Sequence, residues 1–278
     1  MQNGLTLDHA VINVRSGITA AAEAYHRLGF HLTERGYHTL GTCNHLAILE
    51  NNYIELLGYE PQATLRTDFV TGQIGLVALA FACDDATTLH STLAAQGLQV
   101  DPPQAFSRPV RISDGETDAR FEVVRFREDA SRLGRLFFCR HMTPELVWRR
   151  ESKDHANGAR NVVRIVASSD NPTQALGVLS RLAGPNKIHP MHGGIAVDMG
   201  RTRLECLTVD ALRTQFGDAV AACGTDRLVA IVIETRSLRA AREALRKGGV
   251  EVTGDGRRLI VSPGQACGAV VEFVESAP

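Results

Sequence analysis

Aromatic side chains make up only 5% of the 278 residues, too few for the stacking platforms on which single-stranded nucleic acids lie. Charge of either sign is not in excess. Lys and Arg number 30 against 31 Asp and Glu, a formal net charge of -1, so nothing draws the chain electrostatically to nucleic acid or to an anionic membrane surface. No apolar run approaches the ~20 residues that span a bilayer, and the opening MQNGLTLDHA lacks the basic stretch and apolar core of a secretory leader. Six cysteines, at 43, 83, 139, 206, 223 and 267, form no CxxC pair, and most sit in apolar runs such as LFFC and ACGAVVEF. Buried free thiols in a cytoplasmic protein are the expectation. No GxGxxG follows a strand, and GxxxxGKS/T, HExxH and GxSxG are missing, so nucleotide-dependent and serine-hydrolase chemistry have no support.

What the chain does have is repetition. Ser16 can cap a helix with Ile18, Ala21, Ala22, Tyr25 and Leu28 on one face, stopping at Gly29. Asp85 opens a second helix that stops at Gly97, Asn171-Pro172 a third that stops at Gly184, and Ser237 a fourth that stops at Gly248-Gly249. Each stop uses glycine where a helix end needs a left-handed residue. A strand-like run precedes every helix (LDHAVINV, GLVALAFA, NVVRIVAS, RLVAIVIE), and further strand-like segments follow, such as NYIELLG, TRLECLT and AVVEFVE. The stop glycines lie 68, 87 and 64 residues apart, and such quasi-periodic repetition outranks local propensity as a guide to the fold. The second unit is longest because of DPPQAFSRPVRISDGETDA, which reads as a surface loop or flap. The charged RRESKDHANGAR, residues 149–160, reads as a linker between units 1–148 and 161–278. A single mixed α+β domain is the alternative.

Four βαβββ modules paired two by two resemble the vicinal oxygen chelate superfamily. LDHAVINV followed by a helix and NNYIELLG looks like the opening module of its glyoxalase-like branch, and FFCRHMTPELVW looks like a signature of a two-domain group within it. The resemblance implies an α+β fold of two cupped mixed sheets with helices outside, the glyoxalase/bleomycin resistance/dihydroxybiphenyl dioxygenase fold. It also implies metal ligands projecting into each cup from the first and last strands of each module, commonly four in all.

Counting back from the stop glycines places His9, Val77, Arg164 and Leu228 at matching first-strand positions. The last-strand candidates are Glu55, Glu205 and Glu272, with His141 the counterpart in the second module unless Arg140 is the residue in register. His9, Glu55 and His141 would give a three-ligand site for a divalent metal (Zn, Fe, Mn or Ni) with open positions for adjacent oxygens of a substrate. Strand alternation puts His9 on one face with Leu7, Val11 and Asn13, and Asp8 on the other. The competing reading is a metal-free cup in which His9 and Glu55 bond each other or a ligand. In the second half, Arg164 cannot ligate, and a structural pairing of Arg164 with Glu205 and Glu272 is expected. Asn44 or His45, and Arg108 with Arg111, are candidate substrate contacts. His189 and His192 read as a solvated turn, and His26, His31, His38, His90 and His155 as surface residues.

The resulting expectation is a metal-dependent lyase or isomerase acting on a small oxygenated metabolite. An Fe(II) extradiol-type dioxygenase and a non-catalytic binding or resistance protein are the alternatives. A small-molecule partner is expected, with no nucleic acid or membrane, and a homodimer is left open.

Overall fold

The computed structural model describes residues 4–61, 72–113, 115–217, 220 and 224–275; Cys223 lies outside them. The first module runs β1 (Leu7–Arg15), α1 (Ile18–Arg27), β2 (Gly36–Tyr37), β3 (Cys43–Ile48) and β4 (Tyr53–Gly58). The second is β5 (Gly75–Ala82), α2 (Ala86–Ala95), β6 (Gln104–Ile112), β7 (Gly115–Arg125) and β8 (Arg135–His141). The third is β9 (Ala159–Ser168), α3 (Pro172–Ala175), α4 (Gly177–Ala183), β10 (Ile188–Met191), β11 (Gly194–Met199) and β12 (Thr202–Leu207). After an inserted helix α5 (Val209–Phe216) comes the fourth: β13 (Arg227–Thr235), α6 (Leu238–Lys247), β14 (Val252–Thr253), β15 (Arg258–Val261) and β16 (Val270–Glu275).

The strands form two eight-stranded mixed sheets, ordered β2-β3-β4-β1-β5-β8-β7-β6 and β10-β11-β12-β9-β13-β16-β15-β14. The second order is the first advanced by eight strands, as a duplicated pair of modules requires. In each sheet the two opening strands run antiparallel at the centre, and each is flanked by the parallel closing strand of its own module. Edge strands β2 and β6 approach closely, with the Thr39 N–H donating to the Ser107 carbonyl at 3.0 Å. The first sheet thereby curls nearly into a barrel.

Local chemistry explains most helix starts. Asp85 accepts from the Thr88 N–H at 2.9 Å, Asn171 from Gln174 at 3.2 Å and Ser237 from Ala240 at 3.4 Å. Ser16 caps nothing: the residue before α1 is Gly17, without a side-chain bond. The third helix breaks at Leu176 into α3 and α4. Two stretches read as loops are strands. The Pro- and Asp-rich insertion forms the long β6–β7 hairpin, in register from Gln104↔Val123 to Ile112↔Gly115. KIHPMHGG supplies β10, which pairs with β11. In both, alternation on an exposed edge leaves little hydrophobic pattern to read. The 149–160 stretch makes one 3-10 turn, Arg150–Lys153, and runs directly into β9.

The convex faces of both sheets and their helices share one core, from Ile12, Ile54 and Leu79 to Ile165, Ile231 and Phe273. Polar contacts fix the junction. Asn52 is buried, receives the Val162 N–H at 2.8 Å and donates to the Val162 carbonyl at 3.0 Å. Gly248 at the end of α6 lies so near α1 that a Cβ there would come within 1.9 Å of the Arg27 carbonyl oxygen.

Candidate functional site

The cup geometry begins with four matching irregularities. Where β1 pairs with β5, Leu7↔Phe81 is followed by His9↔Ala80, and Val11↔Ala78 by Ile12↔Leu76. Asp8 and Val77 are therefore extra residues, one β-bulge per opening strand. In the second sheet Val163 and Val229 take the same places. The bulges set the true correspondence: His9 matches Ala78, Arg164 and Ala230. Counting from glycines placed Val77 and Leu228 here, off by one and two residues, because helix and turn lengths differ between modules.

The bulge also overturns the expected facing of Asp8. Strict alternation turns Asp8 away from His9, but the extra residue brings its carboxylate to the same side. Asp8 Oδ1 lies 2.5 Å from His9 Nδ1 and 3.1 Å from His141 Nε2, and all three side chains are buried. Burial alone would raise the Asp8 carboxyl, but hydrogen bonds from His141 and His9 outweigh it and hold it well below the usual carboxylate range. An ionised Asp8 makes both facing ring nitrogens donors, so His9 presents Nε2 to the cup. There it lies 3.6 Å from Glu55 Oε2. The His9 ring stacks on Tyr53, centroids 4.4 Å apart, with Phe137 edge-on at 5.4 Å.

Closing strands are aligned by the parallel pairings Val11↔Glu55, Val166↔Glu205, Val232↔Glu272 and Ala80↔Phe137. Glu55, Glu205 and Glu272 are thus equivalent, and the fourth equivalent is Phe137. Neither His141 nor Arg140 is in register; His141 lies at the far end of β8, opposite Phe121, among Tyr53, Phe121 and Trp148. His9 and Glu55 meet in the cup, while His141 reaches His9 only through Asp8. Asp8, Cys139 and His141 bring one donor atom each within 4.8 Å of one another, a second grouping behind His9 that sequence pattern did not suggest. Burial pushes the Cys139 thiol well up.

Around His9 and Glu55 opens a cavity of about 940 Å³. Asn44 faces it and donates to Glu55 Oε1 at 2.6 Å. His45 points the other way, its Nδ1 2.8 Å from the Thr33 carbonyl oxygen. Of the arginine pair, Arg108 on β6 is 5% exposed and lines the cavity, whereas the Arg111 side chain is 79% exposed, 3.9 Å from Glu34. Two histidines read as surface residues are not. His155 is buried against the Ile48 carbonyl oxygen at 2.8 Å, and His38 lines the cavity. His38 Nδ1 meets Thr42 Oγ1 at 2.7 Å, and its Nε2 faces the Asn44 amide nitrogen at 3.1 Å. Burial, with Arg108 and His9 nearby, outweighs Glu55 and lowers the His38 imidazole to about 4. Asp226, just before β13, and Arg227 at its start complete the cavity rim.

The second cup is full. Leu212 and Phe216 of α5 pack with Val166, Ala230, Val232 and Val270 on its concave face. Arg164, standing where His9 stands in the first cup, donates to Glu205 and Glu272, both at 2.9 Å. Burial raises the Glu272 carboxyl even so. The inserted helix carried no repeat signal, so the closure of this cup could not be foreseen.

A family model described as a glyoxalase-like domain matches residues 7–183. No curated protein matches the chain in sequence. Among solved structures, a hypothetical protein from Staphylococcus aureus aligns at TM-score 0.69 and 11% identity, covering 98% of this chain and 100% of that one. A mutant of 4-hydroxymandelate synthase from Streptomyces coelicolor aligns at TM-score 0.60 and 11% identity, over 98% and 92%. A xylose isomerase-like TIM barrel/4-hydroxyphenylpyruvate dioxygenase fusion protein aligns at TM-score 0.60 and 14% identity, over 98% of this chain and 49% of that longer one. At these identities the structures share the fold. With the family model spanning most of the chain and the fourfold βαβββ architecture agreeing, the chain belongs to the glyoxalase-like family of the vicinal oxygen chelate superfamily.

Proposed function

We propose that the first cup is the catalytic site of a lyase- or isomerase-type enzyme that moves a proton on a small oxygenated metabolite, with His9 as the acid–base group. The observation that carries this reading is the buried line Asp8–His9–Glu55. Asp8 fixes one ring nitrogen of His9 at 2.5 Å and leaves the other at the cavity wall, 3.6 Å from a carboxylate. A base held by a second group behind it, facing a ligand-sized cavity, is the geometry general acid–base catalysis requires. Glu55, steadied by Asn44, can exchange the proton with His9. Tyr53, Phe121 and Phe137 give the cavity apolar lining beside this pair.

A divalent metal fits this cup only in part. His9 and Glu55 occupy two of the four equivalent positions, and Ala78 and Phe137 occupy the others. Asp8 behind His9 does suit a ligating histidine. If an ion binds, His9 Nε2 and Glu55 would hold it, and it would supply Lewis-acid polarisation of a substrate oxygen. The proton-transfer reading needs no such step. An Fe(II) dioxygenase with two histidines in the cup is disfavoured, because Ala78, Arg164 and Ala230 stand at the other positions equivalent to His9. The same two substitutions, Ala78 and Phe137, favour a non-catalytic binding protein as the second reading.

The test is exchange of carbon-bound hydrogen in D2O, followed by NMR over a panel of 2-hydroxy and 2-oxo carbonyl compounds, alongside elemental analysis of protein purified without added metal. Wild type should accelerate exchange in at least one compound, with the rate falling roughly 100-fold or more in His9→Gln. Binding without exchange across the panel would favour the binding-protein reading. Stoichiometric metal that is lost in His9→Ala would restore the metal-dependent one.

A further inference from the structure

The cavity walls carry an imbalance of charge that proton transfer does not use. Arg108, Arg125, Arg127, Arg132, Arg135 and Arg227 line it, against Glu55, Asp101 and Asp226. Four of these arginines are accounted for. Arg132 pairs with Asp226 at 3.2 Å, Arg125 donates to Gln104 at 2.5 Å, and Arg135 and Arg227 have contacts of their own.

Arg108 differs. It is 5% exposed, and no carboxylate among the described residues lies within 4.0 Å of its guanidinium. Burial lowers its pKa, and the nearby Glu55 carboxylate offsets this only in part. Buried cations are ordinarily paired. The fold also makes room for it: a Cβ at Gly36 would come within 2.8 Å of Arg108 Nη1 and 2.9 Å of its Cδ. A planar fork of donors turned into an apolar-walled cavity is matched by a carboxylate, which it binds through two parallel hydrogen bonds.

We propose that the ligand of the first cup is an organic anion, a carboxylate on an apolar body, whose charged end seats on Arg108 while its reacting end faces His9 and Glu55. This rests on the proposed function above and names its substrate class. Phe106, Phe121 and Phe137 line the same cavity and offer apolar surface to the body of the ligand. The anion would set a carboxylate against the buried Arg108 guanidinium. Binding of such an anion would give the Arg108 guanidinium a partner that no described carboxylate supplies within 4.0 Å, and would stabilise the fold by mass action.

The test uses the full chain and two probes of equal shape, phenylacetate and the neutral phenylacetamide, with binding followed through Trp148 fluorescence and by calorimetry. Wild type should bind the acid at least about tenfold more tightly than the amide, and Arg108→Met should remove that preference while still taking the amide. Without ligand, Arg108→Met should melt about 2–4 °C higher than wild type, because it deletes a buried charge with no ion pair among the described residues; Arg108→Lys should keep a reduced preference for the acid. Equal binding of acid and amide by wild type overturns the anion assignment and leaves the cup as the functional site. Failure of both probes to bind overturns both. A lower melting temperature in Arg108→Met, with the acid preference intact, shows that Arg108 is structural and refutes the proposal.

Discussion

His38 gives the sharpest quantitative handle on the cup. Its neutral form is fixed by its neighbours. Asn44 turns its amide nitrogen to Glu55 at 2.6 Å, so the same nitrogen can only donate to His38 Nε2 at 3.1 Å. A second proton on that ring would face a donor. In the unfolded chain the imidazole titrates near 6.5, and in the folded protein near 4. Between those values the unfolded state binds the extra proton and the native state does not. Stability is therefore fully present above about pH 6.5 and is lost as pH falls towards 4. A gap of about 2.5 units at 1.36 kcal/mol each amounts to about 3 kcal/mol. The perturbation is His38→Gln, which keeps a hydrogen-bonding side chain of similar reach and cannot titrate. The assay is urea unfolding of both proteins at several pH values from about 7.5 down to about 4, compared as a difference. His45 and His155 are also lowered by burial, but their contributions cancel in that difference. Wild type should lose about 3 kcal/mol more than the variant across the window. Parallel curves would refute the reasoning and show that His38 is open to solvent in the folded protein.

Other outcomes follow from the same structure. Asp8→Asn should flatten the acid side of the stability curve, because the depressed Asp8 carboxyl contributes stability that is present above about pH 4 and lost only as pH falls below it; equal acid unfolding of the two proteins would contradict this. Arg164→Met strands two buried carboxylates and should cost about 3 kcal/mol in urea unfolding, most of it recovered when Glu205→Gln and Glu272→Gln are added. Additive losses in the triple variant would show that the three side chains do not act together. Asn52→Ala should cost about 2 kcal/mol by leaving the Val162 N–H and carbonyl without partners at the junction of the halves, read as a lower midpoint in a single cooperative transition.

The fold was legible because repetition survives where hydrophobic packing demands it. The opening strands and most of the closing strands are largely buried on both faces, so LDHAVINV, RLVAIVIE and AVVEFVE keep their apolar pattern. Exposed strands such as β6 and β10 carry no such constraint and read as loops. Within the site, His9 and Glu55 could be found because charged or titratable groups stand out in apolar strands. Asp8 could not, because a bulge breaks the period of two on which facing is judged, and no spacing rule reports a bulge. His141 could be found as a residue but not assigned a place, since register on β8 depends on its pairing with β5. Arg108 was visible only as half of a basic pair; separating it from Arg111 required knowing that the segment is a strand leading into the cup.

The shared core bears on how this chain can be taken apart. Ile12 and Phe273 belong to one apolar cluster, Val162 is clasped by Asn52, and Asp226 and Arg227 of the second half finish the rim of the first cup. A half-length fragment would expose the face that its twin now covers and would present a broken cavity mouth. The filled, arginine-locked half thus covers the apolar face of the half that keeps an open cup. A filled cup does not make that copy dispensable, because it still walls its neighbour.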